Sequence, residues 1–277
     1  MRLYNLREVH RPTNLEDAIR FLRRKDVNTI PLGGGVALVG EGGPEIEAVV
    51  DLSLLGLETI EREDGVVRLG AMVRLQTLTD DLGDVASGFL AQAAQRTATR
   101  LTRNSATLGG MLMSAAGANP LLVTFGVLDV EIIVVAPKER TLPFATFLSE
   151  RKQLRAKKAL LTVVIIREAG GSQGYGYADI GRSPAGAPIL CAACRIGPDG
   201  EARFAVGGVW EPIIICQTGS DPARAVTALT DAAGQAPLTN DYLATAGYRA
   251  AMLPVLVGRA MAQARTQQAE GQAGGSR

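Results

Sequence analysis

The stretch Arg103-Asn104-Ser105-Ala106-Thr107-Leu108-Gly109-Gly110 is the most unusual run in the chain. Thr107 with Gly109-Gly110 two residues on offers a hydroxyl and two exposed backbone amides, a set that suits a phosphate or a ribityl oxygen. The same residues also suit a tight turn with no ligand. Upstream, an extended run from Thr29 to Leu32 leads into Gly33-Gly34-Gly35 and then Val36-Ala37-Leu38. Consecutive glycines let N–H groups converge and let a bulky anion approach the main chain. The run is not GxGxxG, and no Lys-Ser/Thr follows it, so neither common nucleotide fingerprint is met. Three glycines alone also describe an ordinary loop.

Outward from these two runs, helical and extended patterns alternate. Thr13 and Glu16 form a capping-box pattern, and Leu15, Ala18, Ile19 and Leu22 follow at helical spacing. Ala48 to Val50 and Val66 to Leu69 read as strands. A helix over 88–100 places Leu90, Ala93, Ala94 and Thr97 on one face, and 121–128 is a second helical stretch. Strands are expected at 130–135 and 160–166. Gly170, Gly171, Gly174 and Gly176 read as a glycine-rich connection between lobes. Beyond it, Ile189 to Ile196 and Ala202 to Val209 flank the hairpin turn Gly197-Pro198-Asp199-Gly200, and Ile213 to Ile215 adds a third strand. Asp221 caps a helix with Pro222 at its first position and Gly234 as its stop. A last helix over 240–265 is expected to break or restart at Pro254. Residues 266–277, mostly Gln, Gly, Ala and Ser, read as a disordered tail. The fold class is α+β with mixed sheets.

Composition removes several function classes. The chain has 277 residues, with 29 Lys+Arg against 28 Asp+Glu, so its net charge of +1 gives no basic face for nucleic acid. Its apolar runs are too short to span a membrane, and the charged N-terminus MRLYNLREVHRPTN lacks a signal peptide's apolar region. The reading is therefore soluble and cytoplasmic. A single histidine, His10, disfavours triads with a His base and His-rich metal sites. Glycine is 32 of 277, about 12% against a usual ~7%, and the excess is clustered at the runs just described.

The remaining candidates have plainer explanations beside them. Cys191 and Cys194 form a CxxC, but inside a strand positions i and i+3 face opposite sides, so buried structural cysteines are expected. His10 is read as a surface residue. Arg151-Lys152, Arg155 and Lys157-Lys158 suit a solvated helix face, with a partner contact as the other reading. Tyr175, Tyr177 and Trp210 are the aromatics placed to stack on a planar cofactor or simply to pack in strands.

In order along the chain, these pieces resemble the FAD-binding (medium) subunit of molybdenum hydroxylases. That family includes the medium subunit of carbon monoxide dehydrogenase and the flavin domain of xanthine dehydrogenase. The resemblance is carried by His10-Arg11-Pro12-Thr13 with Glu16-Asp17-Ala18, Val50-Asp51-Leu52, and Leu69-Gly70-Ala71. It continues through Arg103-Asn104 with Thr107-Leu108-Gly109-Gly110, Leu128-Asp129, Pro143-Phe144-Ala145-Thr146-Phe147, and Tyr248-Arg249 to Arg259-Ala260. It implies two α/β lobes of the PCMH-type FAD-binding fold, at 1–57 and 58–170. A C-terminal lobe of a three-stranded antiparallel sheet and helices is implied at 171–265. It also implies FAD held between the first two lobes by Gly33, Gly34, Gly35, Val36, Ala37 and Leu38, and by Thr107, Leu108, Gly109, Gly110 and Met111. The implied partners are a molybdenum-cofactor large subunit and a 2Fe-2S small subunit in a hetero-oligomer, with no nucleic acid and no membrane. No catalytic or metal-ligating residue is implied in this chain, because the family's flavin relays electrons and needs positioning more than acid–base side chains.

Departures from the family pattern cluster at the cofactor loops. A hydroxyl or amide position is Val36, an Asp or Ser position is Ala37, and an Asn position is Met111. Ser114, Ala115, Ala116, Gly117, Ala118, Asn119 and Pro120 match a later family loop, with Gly117 in place of Pro and Pro120 in place of Asp. A Lys position near Tyr177 is Asp179. Each lost hydrogen bond weakens binding by ~0.5–3 kcal/mol. Three readings follow: a flavoprotein subunit that binds FAD mainly through backbone amides, a homologue without flavin that serves as a structural or assembly subunit, or a chain that binds a smaller or different ligand in the same cleft.

Overall fold

The computed structural model describes residues 3–115, 117–183 and 186–274; Ala116 and residues 275–277, named in the expectations above, lie outside them. In chain order the elements begin with β1 (Glu8–His10), α1 (Leu15–Leu22), β2 (Thr29–Leu32), α2 (Val36–Glu41), β3 (Ala48–Asp51), β4 (Ile60–Glu63) and β5 (Val66–Gly70). Helices α3 (Leu75–Asp81), α4 (Phe89–Thr97), α5 (Arg100–Ser105), α6 (Leu108–Ser114) and α7 (Pro120–Val127) follow. Then come β6 (Asp129–Val135), β7 (Glu139–Pro143), α8 (Phe144–Ala156), β8 (Leu160–Arg167), β9 (Gly174–Ile180), β10 (Leu190–Ile196), β11 (Glu201–Gly207) and β12 (Ile214–Gly219). Helices α9 (Pro222–Ala233) and α10 (Ala246–Gly274) close the chain. The described residues form two compact units. The first comprises Met1–Thr77, Arg100–Ser114 and Val130–Ile166; the second comprises Leu78–Thr99, Ala115–Asp129 and Arg167–Arg277. A boundary at 170/171 lies close to the last of these edges, whereas one at 57/58 falls inside the first unit.

In the first unit, β1 and β2 both run parallel to a central β3. Helix α1 covers this sheet, burying Ala18 and Leu22 with Val50 and Leu52. Its N-cap is Asn14 rather than Thr13. The Asn14 side chain accepts from the Asp17 amide at 2.9 Å, and Asn caps at least as well as Thr. His10 is half-buried rather than a free surface residue: its ring stacks on Phe21 at 4.1 Å, and Nε2 lies 2.8 Å from Glu8 Oε2. The larger sheet has the order β4-β5-β8-β6-β7. Its middle strand, β8, reads LLTVVIIR, apolar on both faces as a central strand requires. Of the basic run on and after α8, Arg151 donates to Leu112 O and Lys158 to Asn28 Oδ1, while Lys152, Arg155 and Lys157 face solvent.

The second unit is built on an antiparallel sheet of four strands, β12-β11-β10-β9, not three. The fourth is β9, which runs through the glycine-rich stretch expected as a connection. Its glycines have a packing cause. A β-carbon on Gly174 would lie 2.1 Å from Ala264 O, and one on Gly176 would lie 1.9 Å from Ala260 O, both in α10. Alternate glycines on one face of β9 let the helix backbone rest directly on the strand. Gln263 and Gln267, one helical turn apart, accept from the Tyr177 and Tyr175 amides at 2.8 and 2.6 Å, so the unpaired side of this edge strand is capped by helix side chains. Helices α9 and α10 cover Phe204, Val206 and Cys194, while α7 packs on the other face, with Gly126 against Ala205.

Helix α10 also corrects two expectations. It runs unbroken through Pro254 and continues to Gly274, so 266–274 are helical rather than a disordered tail. Pro254 and Ala250, whose carbonyl the proline ring leaves without an N–H partner, both face solvent, while Leu253, Leu256, Val257, Ala260 and Ala264 keep a buried stripe. Farther along, Gln268 donates to Ser172 O and Gly197 O, tying down the end that composition left loose. Gly176→Ala is expected to destabilise the protein by about 2–3 kcal/mol through overpacking against α10, read as a lower urea midpoint, whereas Gly200→Asn in the hairpin turn is tolerated.

Candidate functional site

Three sequence motifs, separated by some thirty residues each, converge in the first unit. Gly33-Gly34-Gly35 turns the chain from β2 into α2; the 103–111 run carries the end of α5 into α6; Ala71 to Arg74 follows β5. Backbone hydrogen bonds lace the last two together: Leu75 N to Ala106 O at 3.0 Å, Leu108 N to Val73 O at 2.8 Å, and Gly109 N to Ala71 O at 2.8 Å. The glycine turn then seats on this pair. A β-carbon on Gly34 would fall 1.7 Å from Ser105 O, and one on Gly33 would fall 2.8 Å from Thr107 Oγ1. The same hydroxyl stands 2.8 Å from where a β-carbon on Gly110 would be. Thr107 Oγ1 thus fills the space that side chains on both glycine runs would need, and it is only 2% exposed.

The two runs differ in what they leave free. The second commits its amides to the protein: beside the bonds above, Gly110 N donates to Thr107 Oγ1 at 3.2 Å and Met111 N to Thr107 O at 2.9 Å. The expected pair of exposed amides at Gly109 and Gly110 is therefore absent, because Thr107 acts as the cap of α6 and Gly109 pairs with Ala71. Leu108 and Met111 are buried. The first run is different. Gly35, at φ +75°, turns the chain into α2 with no side-chain cap and no acidic residue in the first turn. The first α2 amide to find a helical acceptor is that of Val39, bonded to Gly35 O at 2.9 Å. The amides of Val36, Ala37 and Leu38 precede it, as the orphan donors of any helix start do. Val36 is 41% exposed at the mouth of this turn.

One cation stands beside the turn that spacing did not single out. Arg74 donates from Nη1 to Ser105 O, and that nitrogen lies 3.1 Å from the position of a β-carbon on Gly34. Forty residues of chain separate Arg74 from the glycines, so only the fold brings them together. Arg103, the basic residue of the motif itself, is buried and donates instead to Gln76 Oε1 at 3.0 Å. A donor-rich, acid-free turn with a guanidinium against it fits an anionic group such as a diphosphate.

Other candidates settle into structural roles in the second unit. Tyr175, Tyr177 and Trp210 are buried; Tyr175 stacks on Phe89 at 5.4 Å, and Arg96 lies 4.9 Å over the Tyr177 ring. Cys194 joins the α9/α10 core, and burial pushes its thiol up to about 12, while burial also raises Cys191. Gly117 N donates to Glu211 Oε2, Pro120 opens α7 behind its Asn119 cap, and Asp179 is exposed. Among the described residues no group of three His, Cys, Asp or Glu gathers as a metal site. No helix is long and apolar enough to cross a membrane. Gly34→Ala is expected to cost about 2 kcal/mol or more in thermal or urea unfolding, because the Ser105 carbonyl it meets is backbone and cannot swing aside.

Comparison with known proteins bears on the family and the fold. Residues 4–167 match the model of the family described as "FAD binding domain in molybdopterin dehydrogenase". Uncharacterized protein YgfM of Escherichia coli K12 is 26% identical over 205 residues, 74% of this chain and 75% of that protein. Among solved structures, quinoline 2-oxidoreductase from Pseudomonas putida 86 aligns with a TM-score of 0.82 at 20% identity, covering 97% of this chain and 99% of that one. Carbon monoxide dehydrogenase from Hydrogenophaga pseudoflava, in a form lacking the Mo-pyranopterin moiety of the molybdenum cofactor, aligns at 0.77 with 21% identity, covering 95% and 98%. With its α+β fold and its converging glycine runs, the chain belongs to the family of FAD binding domains in molybdopterin dehydrogenase.

Proposed function

We propose that this chain is the FAD-binding electron-transfer subunit of a molybdenum hydroxylase-type dehydrogenase complex, taking electrons from an iron-sulfur partner and passing them to an acceptor. The observation that carries the reading is the uncapped, acid-free turn at Gly33-Gly34-Gly35, held in place by Thr107. In this reading the amides of Gly33 to Leu38 bind the cofactor's diphosphate. Thr107 does not need to reach the cofactor; it fixes the turn from behind. FAD, when bound, supplies the one- and two-electron chemistry that no side chain here provides. The molybdenum and 2Fe-2S centres are assigned to a large and a small partner subunit, and the three cysteines of this chain are left to packing.

The apolar residues Val36, Ala37 and Met111 bear on affinity rather than on fold. Met111 is buried in α6 and Val36 is exposed, and neither side chain carries an N–H or O–H to donate to a ligand. Binding through backbone amides alone survives such replacements, since no side-chain identity is involved. Purification in excess FAD followed by desalting is expected to leave a yellow protein with about one flavin per chain. A folded, monodisperse and colourless protein would overturn the reading in favour of a structural or assembly subunit.

A further inference from the structure

The glycines are followed by Val36 and Ala37, whose side chains offer no hydrogen-bond donor, and Arg74 stands against the same turn. Its backbone is fixed by an antiparallel bridge to Thr107. The side chain is partly exposed, and Nη1 is held on Ser105 O beside Gly34. A guanidinium carries five N–H donors in a planar fork. One is used on Ser105, and among the described residues no carboxylate forms an ion pair with Arg74. A full positive charge, oriented by one bond and with donors to spare, thus lies beside Gly34, in the turn that leads into the amides of α2.

We infer that Arg74 is the counter-charge for the diphosphate of FAD, supplying ionic attraction at a turn where Val36 and Ala37 offer no side-chain donor. The inference rests on the flavin reading above. A guanidinium fork matches two phosphate oxygens, and its attraction for a dianion is stronger than that of a neutral donor. Two properties follow that a backbone-only site lacks. FAD affinity falls with added salt, and the site separates FAD from riboflavin, which has no phosphate, more sharply than its amides alone would do.

Titration of FAD and riboflavin by flavin fluorescence, at low salt and at ~0.5 M NaCl, tests this with wild type, Arg74→Gln and Arg74→Lys. Arg74→Gln is expected to raise the FAD dissociation constant about tenfold or more, to leave riboflavin unchanged, and to flatten the salt dependence. Arg74→Lys keeps the charge and is expected to retain the salt dependence and much of the FAD affinity. Equal weakening of FAD and riboflavin in Arg74→Gln would overturn the inference, since it reports loss of the Ser105 bond rather than of a phosphate contact. Unchanged FAD affinity would overturn it too, with the flavin reading intact. A wild-type chain with no affinity for FAD removes both. Should Arg74→Gln fail to fold, the wild-type titration decides alone: FAD affinity indifferent to salt overturns the inference.

Discussion

Where β2 turns into α2 in the first unit, main chain meets main chain at a separation no side chain permits. Gly34 lies so close to the Ser105 carbonyl that a β-carbon would sit 1.7 Å from its oxygen. That contact sets where the turn after β2 sits, and so where the start of α2 and its free amides point. Thr107 completes it from below, one hydroxyl serving two glycine runs. The glycines of a cofactor loop are usually explained by the ligand's need for room. Here Gly33 and Gly34 are explained by the protein's own need for contact, and Gly35 by a positive φ.

The second unit answers to the same constraint with different partners. Gly174 and Gly176 let α10 lie on β9, and Gly126 lets α7 lie on β11. Arg249, buried inside this unit, binds the segments around α10's start: Nη1 donates to Ile189 O and Gly208 O at 2.6 and 2.7 Å, and Nη2 to Asp241 Oδ1 at 2.6 Å. With Nε donating to Ala244 O at 3.3 Å, one charged side chain thus bonds three carbonyls and a carboxylate that the Leu243 and Ala244 amides also hold, a geometry in which a buried charge is tolerated.

What could be read in advance was local. Strand β2, the hairpin around Gly197 to Gly200, and α9 between Asp221 and Gly234 follow from turn and cap chemistry that acts within a few residues. What could not be read was set by neighbours distant in the chain. Gly174 and Gly176 look like a linker until α10 lies across them, and Pro254 looks like a break until its face proves to be solvated. The same holds at the site. The two glycine runs are visible as composition, but the internal use of the Gly109 and Gly110 amides depends on Ala71 and Thr107, and the position of Arg74 depends on Ser105. Motif reading finds the glycine runs and leaves out how their donors are used.

The Gln263 and Gln267 contacts with β9 resemble a vernier. Residues four apart on a helix rise by about 6.0 Å, and residues two apart on a strand by about 6.6–6.8 Å. Helix and strand run in opposite directions here, so Gln267 meets Tyr175 and Gln263 meets Tyr177. The small mismatch is absorbed over two rungs and would accumulate over more. The sequence stops the ladder at that length: the next helix position one way is Arg259, which carries donors only, and the other way is Gly271, which carries no side chain. Two glutamines therefore act as a gauge of length, setting the axial phase of α10 against the sheet, and a single residue inserted between them would rotate the rest of the helix by about 100° and put the scale out of step.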